Sequence, residues 1–199
     1  FSLLQMVSYT LEMRPLLTVK RREEDQIQAE LVKRYDQLLE PEPSAFDDEY
    51  PAFINSIKTA LFFEAWCNER DEDFLLEEFE IRPGEIRAKL DIADWLLYSA
   101  AELSKILDRR EIVKELVKLR FRVKYGVKEE LLVLLKLKGI GRVRARRLFA
   151  HGIKSIGDLK NVDVATLGQI LGKAIAEDVK KQVGEEIPEE VPEGRRKGQ

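Results

Sequence analysis

Apolar residues recur at intervals of three and four through six segments of the chain: SLLQMVSYTL, DQIQAELVKRYDQLL, FINSIKTALFFEAW, DFLLEEFE, IRAKLDIADWLLYSAAELSKIL and IVKELVKLRFRVKY. That spacing is the period of an amphipathic α-helix, and no stretch alternates with period two long enough to build a sheet. Six helices are therefore predicted before Gly126. The breaks fall where turn chemistry places them: PEPSAFDDEYP (41–51) holds three prolines and reads as a loop, RPG (82–84) introduces a helix, and YG (125–126) ends one.

The segment from 85 to 107 predicts the central helix of a bundle. At 100° per residue, Ile86, Leu90, Ala93, Leu97, Ala100 and Leu107 fall on one stripe, and Ile92, Leu96, Leu103 and Ile106 widen it. Trp95 falls on the opposite side, among Asp91, Tyr98, Glu102, Arg87 and Ala88. A tryptophan on a polar face needs a reason: either it packs against another helix or a second domain, or it is a stacking platform for an unstacked base. Trp66, inside FFEAW, reads as core.

Beyond Gly126 the pattern changes. LLVLLKLK (131–138) predicts a helix, Gly139-Ile140-Gly141 a two-glycine hairpin, and Arg142 to His151 a second helix that Gly152 ends. Glycine lets backbone approach a ligand closely, and the amides of Gly141, Arg142 and Val143 would open a helix N-terminus where a phosphate is stabilised by N–H groups and the dipole. Ile140 would point inward and lock the turn. Lys138, Arg142, Arg144, Arg146 and Arg147 bring positive charge to this turn. The arginines cannot all share the apolar face made by Ala145, Leu148 and Phe149, so they are expected to project toward solvent or a backbone ligand. The reading is a sequence-independent nucleic-acid clamp of helix-hairpin-helix type. Ser155 and Asp158 form a capping box for a further short helix, His151 reads as a partner of the preceding helix's C-terminal dipole, and ILGKAIAEDV (170–179) reads as a degenerate second hairpin with one glycine.

Charge sharpens this picture. Residues 1–115 carry 15 Lys/Arg against 26 Asp/Glu, residues 116–160 carry 13 against 3, and residues 161–199 carry 6 against 8. A block of +10 in 45 residues is the field a polyanion meets, and the whole-chain charge of -3 conceals it. The domain boundary is placed at the change from acidic to basic: a helical bundle over 1–126 and a helix-hairpin-helix domain over 127–185. The segment 186–199 lacks apolar periodicity and is expected to be extended or disordered, with Arg195 and Arg196 adding charge near its end. The fold class expected is all-α, a helical bundle followed by a small helix-hairpin-helix domain.

Composition and absent motifs narrow the chemistry. A chain of 199 residues with 44% apolar content buries enough surface to fold without metal or disulfide. The single cysteine, Cys67, sits in an apolar run and predicts a buried thiol in a reducing compartment. No apolar run approaches 18 residues, so a membrane span is excluded and a cytoplasmic location is expected. Charged residues make up 36% of the chain, with few Cys and Met, which fits a thermophile's surface. There is no G-x-x-x-x-G-K-[ST] loop, no dinucleotide fingerprint and no Cys/His cluster with metal spacing, so neither ATP hydrolysis nor a resident metal or cofactor is expected in this chain. Asp158 and Asp163 lack the Gly-Pro context of a glycosylase aspartate. The start at Phe1 suggests a piece of something longer.

The segments IRPGEIRAKLDIADWLLYSAAEL, LRFRVKYGVKEELLVLLKLKGIGRVRARRLFAHGIKSIGDL and GRRKGQ resemble the C-terminal part of the archaeal superfamily-2 DNA helicases of the Hjm family. The resemblance covers most of the chain. It implies an ATP- and Mg2+-dependent motor and a winged helix elsewhere in the full-length protein, with 3' to 5' unwinding of forked DNA. In such helicases a long ratchet helix stacks an arginine and a tryptophan on the bases of a single strand. Trp95 matches the tryptophan, and Arg87 is preferred to Lys89 for the arginine because it shares Trp95's side of the helix. The resemblance further implies that RVRARR (142–147) grips the emerging strand and restrains the motor. Single-stranded and forked DNA, the motor and winged helix, and a sliding clamp or recombination proteins are the implied partners. The alternative function class is a protein-interaction module, since helix-hairpin-helix domains also pair with one another.

Overall fold

A computed structural model describes residues 1–184, and these divide into two compact units, Phe1–Gly126 and from Val127 onward. Among the described residues there is no strand.

The first unit contains six α-helices, as the periodicity predicts: α1 (Ser2–Tyr9), α2 (Glu24–Lys33), α3 (Tyr50–Cys67), α4 (Glu72–Phe79), α5 (Pro83–Ile106) and α6 (Arg110–Tyr125). Local chemistry sets their ends. Pro51 lies in the first turn of α3, and Asp71 caps α4 by accepting the Phe74 N–H at 2.9 Å. Pro83 opens α5, and the Arg82 N–H is held by Glu85 Oε2 at 3.0 Å. Gly126 ends α6 in the left-handed region at φ 63°, with its Cα so close to Trp66 that a Cβ would stand 2.6 Å from the indole. The loop expected over 41–51 ends two residues early, at Glu49, because α3 begins at Tyr50.

The most enclosed helix is α3, not α5. Phe53, Ile57, Phe62, Phe63 and Trp66 are buried around its circumference, as an all-round apolar helix requires. Trp66 is 1% exposed and its indole N–H donates to the Val123 carbonyl at 2.6 Å, so it is core. Helix α5 buries Ile86, Leu90, Ala93, Leu97 and Ala101, but the C-terminal end of its predicted stripe corrects the expectation. Leu103, Ile106 and Leu107 are exposed, because the chain reverses at Leu107–Arg109 into α6 and no element of the unit covers that last turn.

The 14-to-20 segment is an irregular strap held by side chains of α3 and α5. Thr59 and Asn55 accept the Leu17 and Val19 amides at 3.1 and 2.8 Å, and Lys89 Nζ donates to the Pro15 carbonyl at 2.6 Å. Lys58, 3% exposed, donates to the Thr18 carbonyl and to Glu23 Oε2 at 3.1 and 2.7 Å. A buried ammonium with two oxygen partners fastens the strap where an unpaired one would be costly.

The second unit contains α7 (Arg142–Ala150), α8 (Ile156–Asn161), α9 (Val164–Leu171) and α10 (Lys173–Gly184). The helix expected over 131–138 is instead a pair of 3-10 turns, Glu129–Leu131 and Leu134–Lys136. The tighter turns still bury Leu131, Leu134, Leu135 and Leu137, so the apolar run reaches the core without an α-helix. Helices α9 and α10 pack together, and α8 meets α10. No helix among the described residues is long and apolar enough to cross a membrane.

Candidate nucleic-acid interface

The turn between the leucine-rich 3-10 segment and α7 is fixed from below. Ile140 is buried and its N–H donates to the Leu137 carbonyl at 3.2 Å, so it anchors the hairpin as expected. The two glycines serve different purposes. Gly139 adopts φ +81°, a region that strains any side chain, whereas Gly141 is extended in a conformation any residue adopts. At both positions a Cβ would meet nothing within 4 Å. Gly141 stands at the N-cap of α7 without a side chain to cap it, and no acidic residue occupies the first turn. The first-turn N–H groups of α7 therefore point past the hairpin, and the dipole adds positive potential there.

The four arginines of α7 divide into two pairs. Ala145 and Leu148 are buried, which turns Arg144 and Arg147 outward, and both are exposed. Arg144 Nη1 donates to the Gly139 carbonyl at 2.8 Å, bringing its guanidinium over the hairpin. Arg142 and Arg146 are half-buried. Arg146 is paired with Glu130 at 2.8 Å and lies over the Phe149 ring, 5.1 Å from the centroid, so part of its charge serves the unit's own packing. Val143 is exposed beside them.

Lys138 is exposed, and both of its main-chain groups are held by one residue that sequence reasoning missed. Gln182 on α10 accepts the Lys138 N–H at 2.8 Å and donates to its carbonyl at 3.1 Å. A polar residue in an amphipathic helix gives no sign of such a role. After α7, Gly152 at φ +82° makes the chain turn: its N–H bonds the Phe149 carbonyl and the Ile153 N–H the Leu148 carbonyl, both at 3.0 Å. His151 Nδ1 lies 2.8 Å from the Arg147 carbonyl, the C-terminal position expected of it. The capping box forms as well, with Ser155 Oγ accepting the Asp158 N–H and Asp158 accepting the Ser155 N–H at 3.1 and 2.9 Å. The Lys154 N–H, followed by the Ser155 hydroxyl and N–H, holds the Asp158 carboxyl below its ordinary range.

The second hairpin joins α9 to α10 through Gly172 at φ +88°, one glycine where the first hairpin has two. Lys180 of α10 donates to the Leu159 and Lys160 carbonyls at 2.8 and 2.9 Å, so it braces α8.

On the first unit, the polar face of α5 carries Arg87, Asp91, Trp95 and Tyr98, all exposed, and Trp95 is 54% exposed. Trp95 is thus not packed into the unit's core. Lys89 is buried on the strap, while Arg87 stands on the same open side as Trp95. Arg195 and Arg196 lie outside the described residues. Among the described residues no group of three His, Cys, Asp or Glu converges to hold a metal ion.

Comparison with known proteins places both units. Residues 131–185 match the SAM-like helix-hairpin-helix tandem. ATP-dependent DNA helicase Hel308 from Methanococcus vannielii is 43% identical over 173 residues, 84% of this chain and 22% of that protein. The Hel308 helicases of Caldivirga maquilingensis and Pyrococcus abyssi are 37% and 34% identical over 79% and 84% of this chain, again covering 22% and 23% of their own lengths. The chain thus spans between a fifth and a quarter of the length of these relatives. Residues 1–126 match the family model for archaeal helicase domain 4, and because that match takes in well over half of the sequence, the chain belongs to the archaeal helicase domain 4 family.

Proposed function

We propose that this chain is the DNA-binding and regulatory C-terminal portion of an ATP-dependent 3' to 5' DNA helicase of the Hjm type, acting on forked or branched DNA in the repair of replication forks. The observation that carries the reading is the first hairpin: an uncapped helix N-terminus, open glycines and the outward Arg144 and Arg147 form a seat for backbone phosphates. Arg142, Val143 and Lys138 complete the grip, with Gly139 and Gly141 allowing the strand's close approach. Arg87 and Trp95 on α5 take unstacked bases.

ATP and Mg2+ belong to the motor of the proposed full-length helicase. The sequence of this chain holds no phosphate-loop motif, and among the described residues no group of three His, Cys, Asp or Glu converges. The remaining proposed partners are a motor and winged helix in the same protein, and a sliding clamp or recombination proteins in the cytoplasm.

Binding of the chain to single-stranded and forked oligonucleotides across a salt series tests the reading. Affinity that falls steeply with salt and favours forks supports it; salt-independent association with protein and none with DNA would make the chain an interaction module instead.

A further inference from the structure

The open face of α5 carries a second aromatic ring. Tyr98 is 46% exposed and lies three residues beyond Trp95, about 4.5 Å farther along the helix axis. By helical angle it falls about 20° from Arg87 and about 60° from Trp95, on the same side of the helix. One face of its ring is occupied. The Arg120 guanidinium of α6 lies over it, 4.8 Å from the centroid. Arg120 is itself fixed by a bidentate pair with Asp94, Nε to Oδ1 at 2.9 Å and Nη2 to Oδ2 at 3.1 Å. The fork geometry makes the guanidinium a rigid shelf beneath the ring.

We infer that Tyr98 is a second base-stacking platform, one helical turn beyond Trp95 and positioned by the Asp94–Arg120 pair, so that α5 receives two successive bases of a single strand. The inference rests on the single-strand reading of α5 given above. A braced ring has already lost its rotamer freedom, so stacking a base on its outer face costs little further ordering. The charges around it do not draw in backbone: the Arg120 cation is balanced by Asp94, and Asp91 on the same open face is unfavourable to phosphates. The contact is consequently with π faces, which every base offers, and not with charge. It releases few counterions, unlike the arginine contacts of the hairpin.

Two measurements on the full chain test this. In titrations with oligothymidylate over a salt series, Tyr98→Phe keeps its affinity, whereas Tyr98→Leu, with similar apolar bulk and no π face, loses about 5-fold to 100-fold with an unchanged salt slope. Arg120→Gln weakens binding less, and adding it to Tyr98→Leu has no further effect, because it acts through the ring. The second measurement needs no variant: irradiation of the wild-type complex with 5-iodouracil-substituted oligothymidylate gives adducts on both Trp95 and Tyr98. Adducts on Trp95 alone, or a folded Tyr98→Leu chain that binds like wild type while Trp95→Ala does not, overturn the role of Tyr98 and leave the single-strand reading intact. Full affinity in both the Trp95→Ala and Tyr98→Leu chains overturns that reading as well.

Discussion

The two tryptophans of the chain give a matched test of the site, since the same truncation is expected to act on different properties. Trp66 is 1% exposed and hydrogen-bonded to Val123, whereas Trp95 is 54% exposed. Just under half of the Trp95 surface, about 115 Å² of roughly 250 Å², leaves water on folding, which at about 25 cal/mol per Å² gives an upper limit near 3 kcal/mol. The Cβ that alanine keeps and the partial burial already present in the unfolded chain bring this to roughly 1.5–2 kcal/mol. Trp66→Ala opens a cavity in the core and is expected to cost about 3–5 kcal/mol. In urea unfolding followed by circular dichroism, Trp95→Ala is thus expected to lose roughly a third to two thirds of the stability that Trp66→Ala loses. In single-strand binding the order reverses: Trp95→Ala loses about 1–3 kcal/mol, with little dependence on base sequence. If Trp95→Ala proves as destabilising as Trp66→Ala and binds single strands like wild type, the ring is a packing residue and the stacking role is wrong.

Other consequences are as direct. If the hairpin neutralises about three to five phosphates of a single strand, log K falls against log salt with a slope of roughly -2 to -4, and Arg144→Glu with Arg147→Glu flattens it by more than one; a double variant with the wild-type slope places the clamp elsewhere. Arg146→Ala, which breaks the pair with Glu130, is expected to lower stability more than it changes the slope. Gln182→Leu removes both bonds to the Lys138 backbone and is expected to cost about 1–3 kcal/mol, with faster exchange of the Lys138 amide as the readout; unaltered exchange contradicts the hold of Gln182 on Lys138. Burial raises the Glu23 carboxyl, but the Lys20 N–H and the Lys58 ammonium outweigh it and hold the group below its ordinary 4.5. A depressed folded value stabilises above about pH 4.5 and is lost as pH falls through it, so the stability gap between wild type and Lys58→Met should narrow from pH 7 to pH 3 in urea melts.

Local signals were legible in the sequence and distant ones were not. Pro83, Gly126, Gly152 and the Ser155–Asp158 box act within a few residues of themselves, and each forms as its chemistry dictates. The burial of Ala145 and Leu148 follows from the helical period, and that of Ile140 from its place between the two hairpin glycines. The run at 131–138 misleads because a leucine-dense stretch satisfies a helical period whichever turn it adopts. Periodicity also says which residues could be buried, not what covers them, so the exposed Leu103, Ile106 and Leu107 were beyond it. The pairing of Arg146 with Glu130 spans 16 residues and the hold of Gln182 on Lys138 spans 44, and neither leaves a mark in a single sequence. Trp95 on the polar face was readable; the shelf beneath Tyr98 depends on which residue of α6 lies opposite, which only packing decides.

The hold of Gln182 on Lys138 also bears on the order in which the second unit comes apart. Surface turns that touch ligands usually fray first, with opening energies far below that of global unfolding. Here both main-chain groups of the residue preceding Gly139 are latched to the last described helix by two hydrogen bonds from one side chain, which oppose local release. The turn opens only when the Gln182 side chain releases it, so its opening is coupled to α10 through this one residue. If the hairpin holds a strand as proposed, tension applied there is passed to α10 through Gln182.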